Sequence, residues 1–160
     1  ISVAAAYQVT DPRVPWKGPT QHNLNPQDVV PGGFFIQQKY PAYNTPIRLA
    51  SKLEADYIAA EAGDATAQLA LIAARRAANA QAVYAGATDA ASVLKELYDQ
   101  RGREFYLEGK RLADFRRNPA ATTGVAASGS VYIKPGYPNI GTQVCYPLPR
   151  AERDNNPNMK

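Results

Sequence analysis

The chain has 160 residues, of which 45% are hydrophobic and 20% are charged, and its formal net charge is +4 at pH 7. This length suits one domain with a real core and is too short for two ordinary domains. The small charge excess does not require an anionic partner, and a single cysteine, Cys145, excludes an intrachain disulfide. No apolar run approaches the roughly 20 residues that a membrane-spanning helix needs.

Residues 1–45 form a predicted loop-rich segment, because prolines and glycines punctuate it at short intervals and allow no long helix. Within it, Gly33–Gln37 has the composition of one short strand. A loop of this length is unusual in a compact domain, so we expect it to lie across a larger scaffold. The chain starts at Ile1 without a signal peptide. We therefore expect it to be a piece of a longer protein.

Residues 46–118 are predicted to form helical hairpins. The first helix runs from Pro46 to about Ala62, with Thr45 as its cap. Gly63 ends it and Asp64 caps a second helix over roughly residues 65–82. The inward-facing positions predicted for these two helices are Leu49, Leu53, Tyr57 and Ala60, then Leu69, Ile72 and Ala73.

A third helix is predicted from about Ala90 to Glu108, with Thr88 or Asp89 as cap, and Gly109 fits the left-handed residue that closes it. A short fourth helix follows over residues 110–117. Successive hairpins of this length have the period of a tetratricopeptide-like array, although the strict consensus of that repeat is missing.

Residues 119–160 are predicted to be irregular. A short strand is expected at Val131–Ile133, an extended segment at Val144–Pro149 and a turn at Asn155–Asn158. The tyrosines of this segment are expected to pin it to the helices; they are Tyr132, Tyr137 and Tyr146.

Charged residues fall on the apolar face of the third helix. Its stripe contains Leu94, Leu97, Tyr98 and Phe105, and Arg101 and Glu108 project onto nearly the same face. A charge at such a position costs several kcal/mol unless it is paired. The spacing predicts a half-buried ion-pair lattice made of the pairs Arg101/Glu104, Glu108/Arg111, Arg111/Asp114 and Asp114/Arg117.

The segment from Gln100 to Arg117 resembles the most characteristic motif of the SusD/RagB family, approximately E-R-x-x-E-L-x-x-E-G-x-R-x-x-D-L-R-R. The matching residues are Arg101, Glu104, Glu108, Gly109, Arg111, Asp114, Arg116 and Arg117. Gln100 stands where glutamate is usual, which removes one charge, and Phe105 and Phe115 replace leucines.

Three further segments resemble the same family in the same order. They are Asp11-Pro12-Arg13, the run from Ile47 to Ala62, and Tyr146-Pro147-Leu148-Pro149 with Glu152 and Asn156-Pro157. The resemblance spans almost the whole chain and identifies it as similar to the C-terminal part of such a protein.

The resemblance implies a mostly helical fold of tetratricopeptide-like hairpins with long Pro/Tyr-rich loops. It also implies a lipoprotein on the outer face of the outer membrane that captures glycans or peptides beside a SusC-type TonB-dependent transporter. Its membrane attachment would use an N-terminal lipid that is not present in this chain.

Catalysis, metal binding and nucleic-acid binding are not expected. Glu104 and Glu108 lie one turn apart, as a glycosidase pair could, but flanking arginines favour their ionised forms and leave no acid. His22, the only histidine, has no cysteine at ligand spacing, so neither a metal nor a cofactor is predicted. The acidic residues among the arginines argue against a phosphate-binding stripe.

Aromatic residues in the first loop are the candidate ligand-binding residues: Trp16, Tyr40 and Tyr43. An aromatic face can stack on a sugar ring, and surface loops are where binding sites occur. The alternative for each residue is that it anchors the loop to the core. At the level of function, the alternative to nutrient capture is a helical-repeat scaffold that binds a protein partner and no small ligand.

Overall fold

The computed structural model describes residues 10–20, 34–124, 128–132, 136–142 and 149–155. The chain divides into two compact units, residues 1–125 and residues 126–160. The described part is mostly helical, as predicted. In chain order its elements are β1 (Trp16–Thr20), β2 (Phe34–Gln37), α1 (Lys52–Ala62), α2 (Ala65–Ala78), α3 (Ala90–Glu104), α4 (Arg111–Arg117) and α5 (Arg150–Asn155).

A two-stranded antiparallel sheet joins β1 to β2, with Trp16 opposite Gln37. The strand predicted within Gly33–Gln37 is confirmed as β2. The prediction of loop structure before it is wrong at β1. Pro19 lies where the pairing register of β1 shifts, and proline is tolerated at such irregular or edge positions of a sheet.

Helix α1 begins later than predicted. Ser51 is its N-cap, and the Ser51 Oγ accepts a hydrogen bond of 3.2 Å from the Glu54 backbone amide. The serine–glutamate spacing is a capping-box signal, and here it prevails over the threonine–proline pair at Thr45 and Pro46. Leu49 therefore lies outside the helix and is 90% exposed, so its predicted place on the inward stripe is wrong.

Helix α2 is capped by Asp64, as predicted, because its carboxylate accepts a backbone hydrogen bond from the first turn. The helix ends at Ala78 and not near residue 82, since Ala80 takes a left-handed conformation with a φ of 53°. Of the three residues predicted to face inward, Ile72 is buried, Leu69 is half-buried and Ala73 is exposed.

Helix α3 is capped by Asp89, as predicted, but ends at Glu104. Residues 105–109 form turns, in which Leu107 has a φ of 60° and Gly109 a φ of 74°. The left-handed Gly109 is thus confirmed, whereas the extension of the helix to residue 108 is wrong because Leu107 already breaks it. Helix α4 follows at once and covers all but the first residue of its predicted range.

The core of the first unit lies between α1, α2 and α3. Its aromatic pair is Tyr57 on α1 and Phe105 after α3, whose rings meet edge to face with centroids 5.7 Å apart. Around it are the buried residues Ala60, Ile72, Val93 and Leu97. A second cluster joins the hairpin to the turn after α3 and contains Val14, Trp16, Phe35 and Tyr106.

The second unit is held by backbone pairing between Gly129–Ser130 and Ile140, with bonds of 2.7 and 2.9 Å. Val131 and Tyr132 lie in no strand, so that part of the predicted strand is wrong. Helix α5 was not predicted; alanine, acidic and basic residues after Pro149 favour it.

Tyr132 and Tyr137 contact each other, with ring centroids 5.7 Å apart, and both are exposed. Their role in pinning the segment to the helices stays a prediction. Tyr146, His22 and Cys145 lie outside the described residues, as do most of the predicted extended segment and turn.

Candidate functional site: two buried carboxylates and a tyrosine loop

Asp114 on α4 anchors the first ion-pair cluster. Its side chain is 1% exposed and accepts hydrogen bonds from Arg101 Nε, at 3.0 and 3.2 Å, and from Arg117 Nη2, at 2.9 Å. The predicted pair Asp114/Arg117 is confirmed. Arg101 reaches Asp114 and not Glu104, because the turn at 105–109 brings the Asp114 carboxylate within hydrogen-bond distance of Arg101 Nε.

Glu104 anchors a second cluster, with partners that are remote in sequence. Its carboxylate accepts from Arg13 Nη1 at 3.0 Å and from Arg75 Nε at 2.7 Å. Arg13 is also paired with Asp11 at 2.7 Å, and Gln81 contacts both members of that pair. The Asp-Pro-Arg segment is thus a structural lock that ties the loop before β1 to α2 and α3.

The carboxylate of Asp11 in this lock favours its ionised form. Burial opposes ionisation of Asp11, but hydrogen bonds and charge from Arg13 outweigh it and hold the pKa of Asp11 below its ordinary value. The same holds for Glu61 on α1: burial opposes its ionisation, and hydrogen bonds from Arg117 and Tyr98 nevertheless lower its pKa. Each carboxylate contributes stability only while it is charged.

Glu108 forms ion pairs with a loop and not with buried helices. Its carboxylate is 3% exposed and accepts from Lys39 Nζ at 2.7 Å and from Arg48 Nη2 at 2.9 Å. Arg111, the predicted partner, donates to the Tyr98 carbonyl and to Thr123. Two cations from one loop therefore converge on a single buried acid.

That loop, residues 39–48, is called here the tyrosine loop. Within it, the Ala42 amide donates to Thr45 Oγ1 and the Thr45 amide donates to the Ala42 carbonyl, both at 3.1 Å. At its start, the side-chain amide of Gln37 makes two hydrogen bonds of 2.9 Å to the backbone of Tyr40. Polar bonds therefore set the shape of the loop.

The three candidate ligand-binding aromatics occupy three different environments. Trp16 is half-buried and packs edge to face on Phe35 with centroids 5.1 Å apart. Tyr40 is half-buried, and both this burial and the nearby Glu108 carboxylate raise the pKa of its hydroxyl. Tyr43 is fully exposed. The β1–β2 pairing places Trp16 opposite Gln37, the residue that holds Tyr40, so these two aromatics share one end of the hairpin.

Sequence reasoning singled out Glu108 but missed the residues that hold the tyrosine loop on it, which are Gln37, Lys39 and Arg48. Lys39 and Arg48 lie 69 and 60 residues from Glu108 in the chain. The available signal was a buried acid without a sufficient local partner, which requires a cation from elsewhere.

The described ranges contain no candidate metal site. Their histidine, cysteine, aspartate and glutamate residues form no group that could hold a metal ion. No described helix is long and apolar enough to cross a membrane.

The fold and its charges define a mostly helical protein whose acidic side chains at the end of α3 are committed to ion pairs. The family model of the SusD family matches residues 53–160, more than half of the chain, so this chain belongs to the SusD family. Comparison with curated proteins and with solved structures gives no match.

Members of the SusD family generally bind nutrients, glycans among them, and work with SusC-type transporters as outer-membrane lipoproteins. The match covers Glu104, Glu108 and Asp114, and begins at Leu53. The three candidate aromatics precede it. Family membership therefore says nothing about their role, which depends on the geometry of the hairpin and the tyrosine loop.

Proposed function

We propose that this chain is a cell-surface binding protein that captures a glycan or a peptide for a SusC-type TonB-dependent outer-membrane transporter. Its place is then the extracellular face of the outer membrane, and its helices belong to a tetratricopeptide-like array. The observation that carries the proposal is the family match over residues 53–160.

The tyrosine loop is the proposed ligand surface. Tyr43 is fully exposed on a loop whose backbone is held by polar contacts at its start, within its turn and on Glu108. A ring presented in this way loses little freedom when a sugar stacks on it. Trp16 and Tyr40 supply the neighbouring, half-buried rings.

Hydrolysis is not part of the proposed function. Glu104, the last residue of α3, forms ion pairs with Arg13 and Arg75. Glu108, in the turn that follows, forms ion pairs with Lys39 and Arg48. Both carboxylates are occupied by these cations and are not free to act on a glycosidic bond. We expect no turnover of any bound glycan.

Removal of the Tyr43 ring tests the proposal. Tyr43→Ala should weaken binding by about 1 kcal/mol, roughly fivefold, because a stacked ring contributes on that order. Tyr43→Phe keeps the ring and should bind like the parent protein. The measurement is calorimetric titration with maltohexaose, cellohexaose, xylohexaose, mannohexaose and a mixture of short peptides.

Two further variants complete the test. Leu49→Ala removes an exposed apolar side chain outside the loop and should leave affinity unchanged. Trp16→Ala, measured by the same calorimetric titration and by urea titration, should weaken binding and also lower stability, since Trp16 packs on Phe35. Equal affinity of the parent and Tyr43→Ala would remove the tyrosine loop from the site, and release of shorter sugars would overturn the non-enzymatic function.

The scaffold alternative has one observation in its favour. Large apolar side chains are exposed on and beside α1, namely Ile47, Leu49 and Ile58. A protein partner could cover such a surface. Under that alternative, the parent protein would bind no oligosaccharide or peptide of the panel, and Tyr43→Ala would give the same result.

A further inference from the structure

The tyrosine loop has almost no apolar anchorage of its own. Residues 41–44 and 46–48 are exposed, and the loop residues between β2 and α1 contribute no member to either buried cluster. A segment without buried apolar contacts opens easily unless polar bonds hold it. The order of this loop therefore depends on its few charged and hydrogen-bonded contacts.

Glu108 provides the contact that joins the two ends of this loop. Lys39 is the first loop residue and Arg48 the last, and both donate to the same oxygen, Glu108 Oε1. Lys39 Nζ also donates to the Tyr106 carbonyl at 2.7 Å, and the Arg48 guanidinium lies 5.4 Å from the centre of the Phe105 ring. The turn after α3 thus receives both cations, and Glu108 supplies the negative charge between them.

We propose that Glu108 is a positioning residue for ligand binding: its buried carboxylate closes the tyrosine loop through Lys39 and Arg48 and so fixes how Tyr40 and Tyr43 are presented. This inference rests on the proposed function for its ligand, and on the ion-pair geometry for the loop. Glu108 itself is 3% exposed at its side chain and does not contact the ligand.

The charge of Glu108 is the feature that matters. Glutamine has nearly the same shape as glutamate, but its amide is neutral and cannot hold two cations at one oxygen with comparable strength. In Glu108→Gln the loop loses its closure and the ligand must then order it. The ordering cost appears as weaker binding, by about tenfold.

The matched control is Glu96→Gln. Glu96 is also a largely buried glutamate paired with an arginine, Arg76, and its contacts lie on α2 and α3, away from the tyrosine loop. This change removes an equivalent charge without touching Lys39 or Arg48. Glu108→Asp serves as the conservative variant, because it restores the charge on a side chain shorter by one methylene group.

Two measurements on the full chain test the inference. In hydrogen exchange, the amides of residues 39–49 should exchange at least about tenfold faster in Glu108→Gln, with α1, α2 and α3 unchanged. In titration with the oligosaccharide panel, the same variant should lose about tenfold in affinity, while Glu96→Gln keeps the parent value. Glu108→Asp should fall between parent and glutamine variant in both measurements.

The outcomes separate the inference from the proposed function. Unchanged exchange of residues 39–49 in Glu108→Gln would overturn the closure of the loop. If the amides of residues 39–49 exchange faster in Glu108→Gln but this variant binds with the affinity of the parent protein, Glu108 has no role in binding. If the parent protein binds no member of the panel, the proposed glycan function fails, and the exchange measurement still decides whether Glu108 positions the loop.

Discussion

Glu104 and Glu108 lie one helical turn apart in sequence, yet they hold two different regions of the molecule. Glu104 joins buried elements, and its partner Arg13 is 7% exposed at its side chain. Glu108 joins the turn after α3 to a surface loop, and its partner Arg48 is 41% exposed. Ion pairs stabilise the fold around Glu104 and set the shape of a surface loop at Glu108. The difference arises because only at Glu104 are both the acid and a basic partner removed from water.

Asp114→Ala gives the largest expected effect and tests the buried side of this comparison. Removal of the carboxylate leaves Arg101, which is 5% exposed, without its ion-pair partner, and should cost about 2–4 kcal/mol. Urea titration gives the free energy of unfolding. Asp56→Ala is the control, since Asp56 forms an exposed pair with Lys52 on α1 and should cost less than about 1 kcal/mol. If Asp114→Ala and Asp56→Ala lose similar amounts of free energy of unfolding, burial does not determine how much an ion pair stabilises this fold.

Two fully buried tyrosines, Tyr98 and Tyr57, allow buried hydroxyl groups with and without hydrogen-bond partners to be compared. Tyr98 donates to Glu61 and accepts from Asn118, so Tyr98→Phe should cost about 1–2 kcal/mol. In the described part of the chain, the Tyr57 hydroxyl is buried without a hydrogen-bond partner, and burial first, then the charge of Glu104, raises its pKa.

Tyr57→Phe should therefore be neutral or stabilising, by at most about 1 kcal/mol, because it removes a polar group that the fold leaves unsatisfied. Thermal unfolding of both variants at equal concentration checks the contrast. A loss of stability in Tyr57→Phe as large as that in Tyr98→Phe would mean that the Tyr57 hydroxyl has a partner.

The amount of this structure that the sequence predicts differs between the two regions. Asp64 and Asp89 accept hydrogen bonds from backbone amides a few residues away, and Gly109 takes the left-handed conformation that its missing side chain allows, so local sequence identified them. The partners of Glu104 and Glu108 could not be identified in this way. Arg13 lies 91 residues from Glu104, and spacing arguments favour partners on the same or the next turn.

The start of α1 and the site residues show two further limits. The sequence prediction placed the cap of the first helix at Thr45, and only the tertiary structure shows that the cap is Ser51. Trp16 and Tyr43 had equal standing as loop aromatics in the sequence. In the structure Trp16 packs against Phe35 and Tyr43 is fully exposed, a difference that depends on tertiary contacts.

Glu61 should make a smaller contribution to the free energy of unfolding, and acidification should remove it. Its pKa in the fold lies below the ordinary value of 4.5, so its stabilising contribution is complete above that value and is lost as the pH falls through the lowered pKa. The free energy of unfolding should therefore decrease on acidification, and Glu61→Gln should decrease less steeply over the same range. Parallel curves for parent and variant, measured by urea titration at a series of pH values, would exclude Glu61 as a contributor.

The central claim is that Glu104 serves stability and Glu108 serves the tyrosine loop, and one paired measurement tests it most directly. Glu104→Gln and Glu108→Gln are compared with the parent protein for both free energy of unfolding and oligosaccharide affinity, at a temperature where all three are folded. We expect Glu104→Gln to lose about 2–3 kcal/mol of stability with parent affinity, and Glu108→Gln to lose about tenfold in affinity with less than about 1 kcal/mol of stability. Equal losses of stability and of affinity in the two variants would contradict the account.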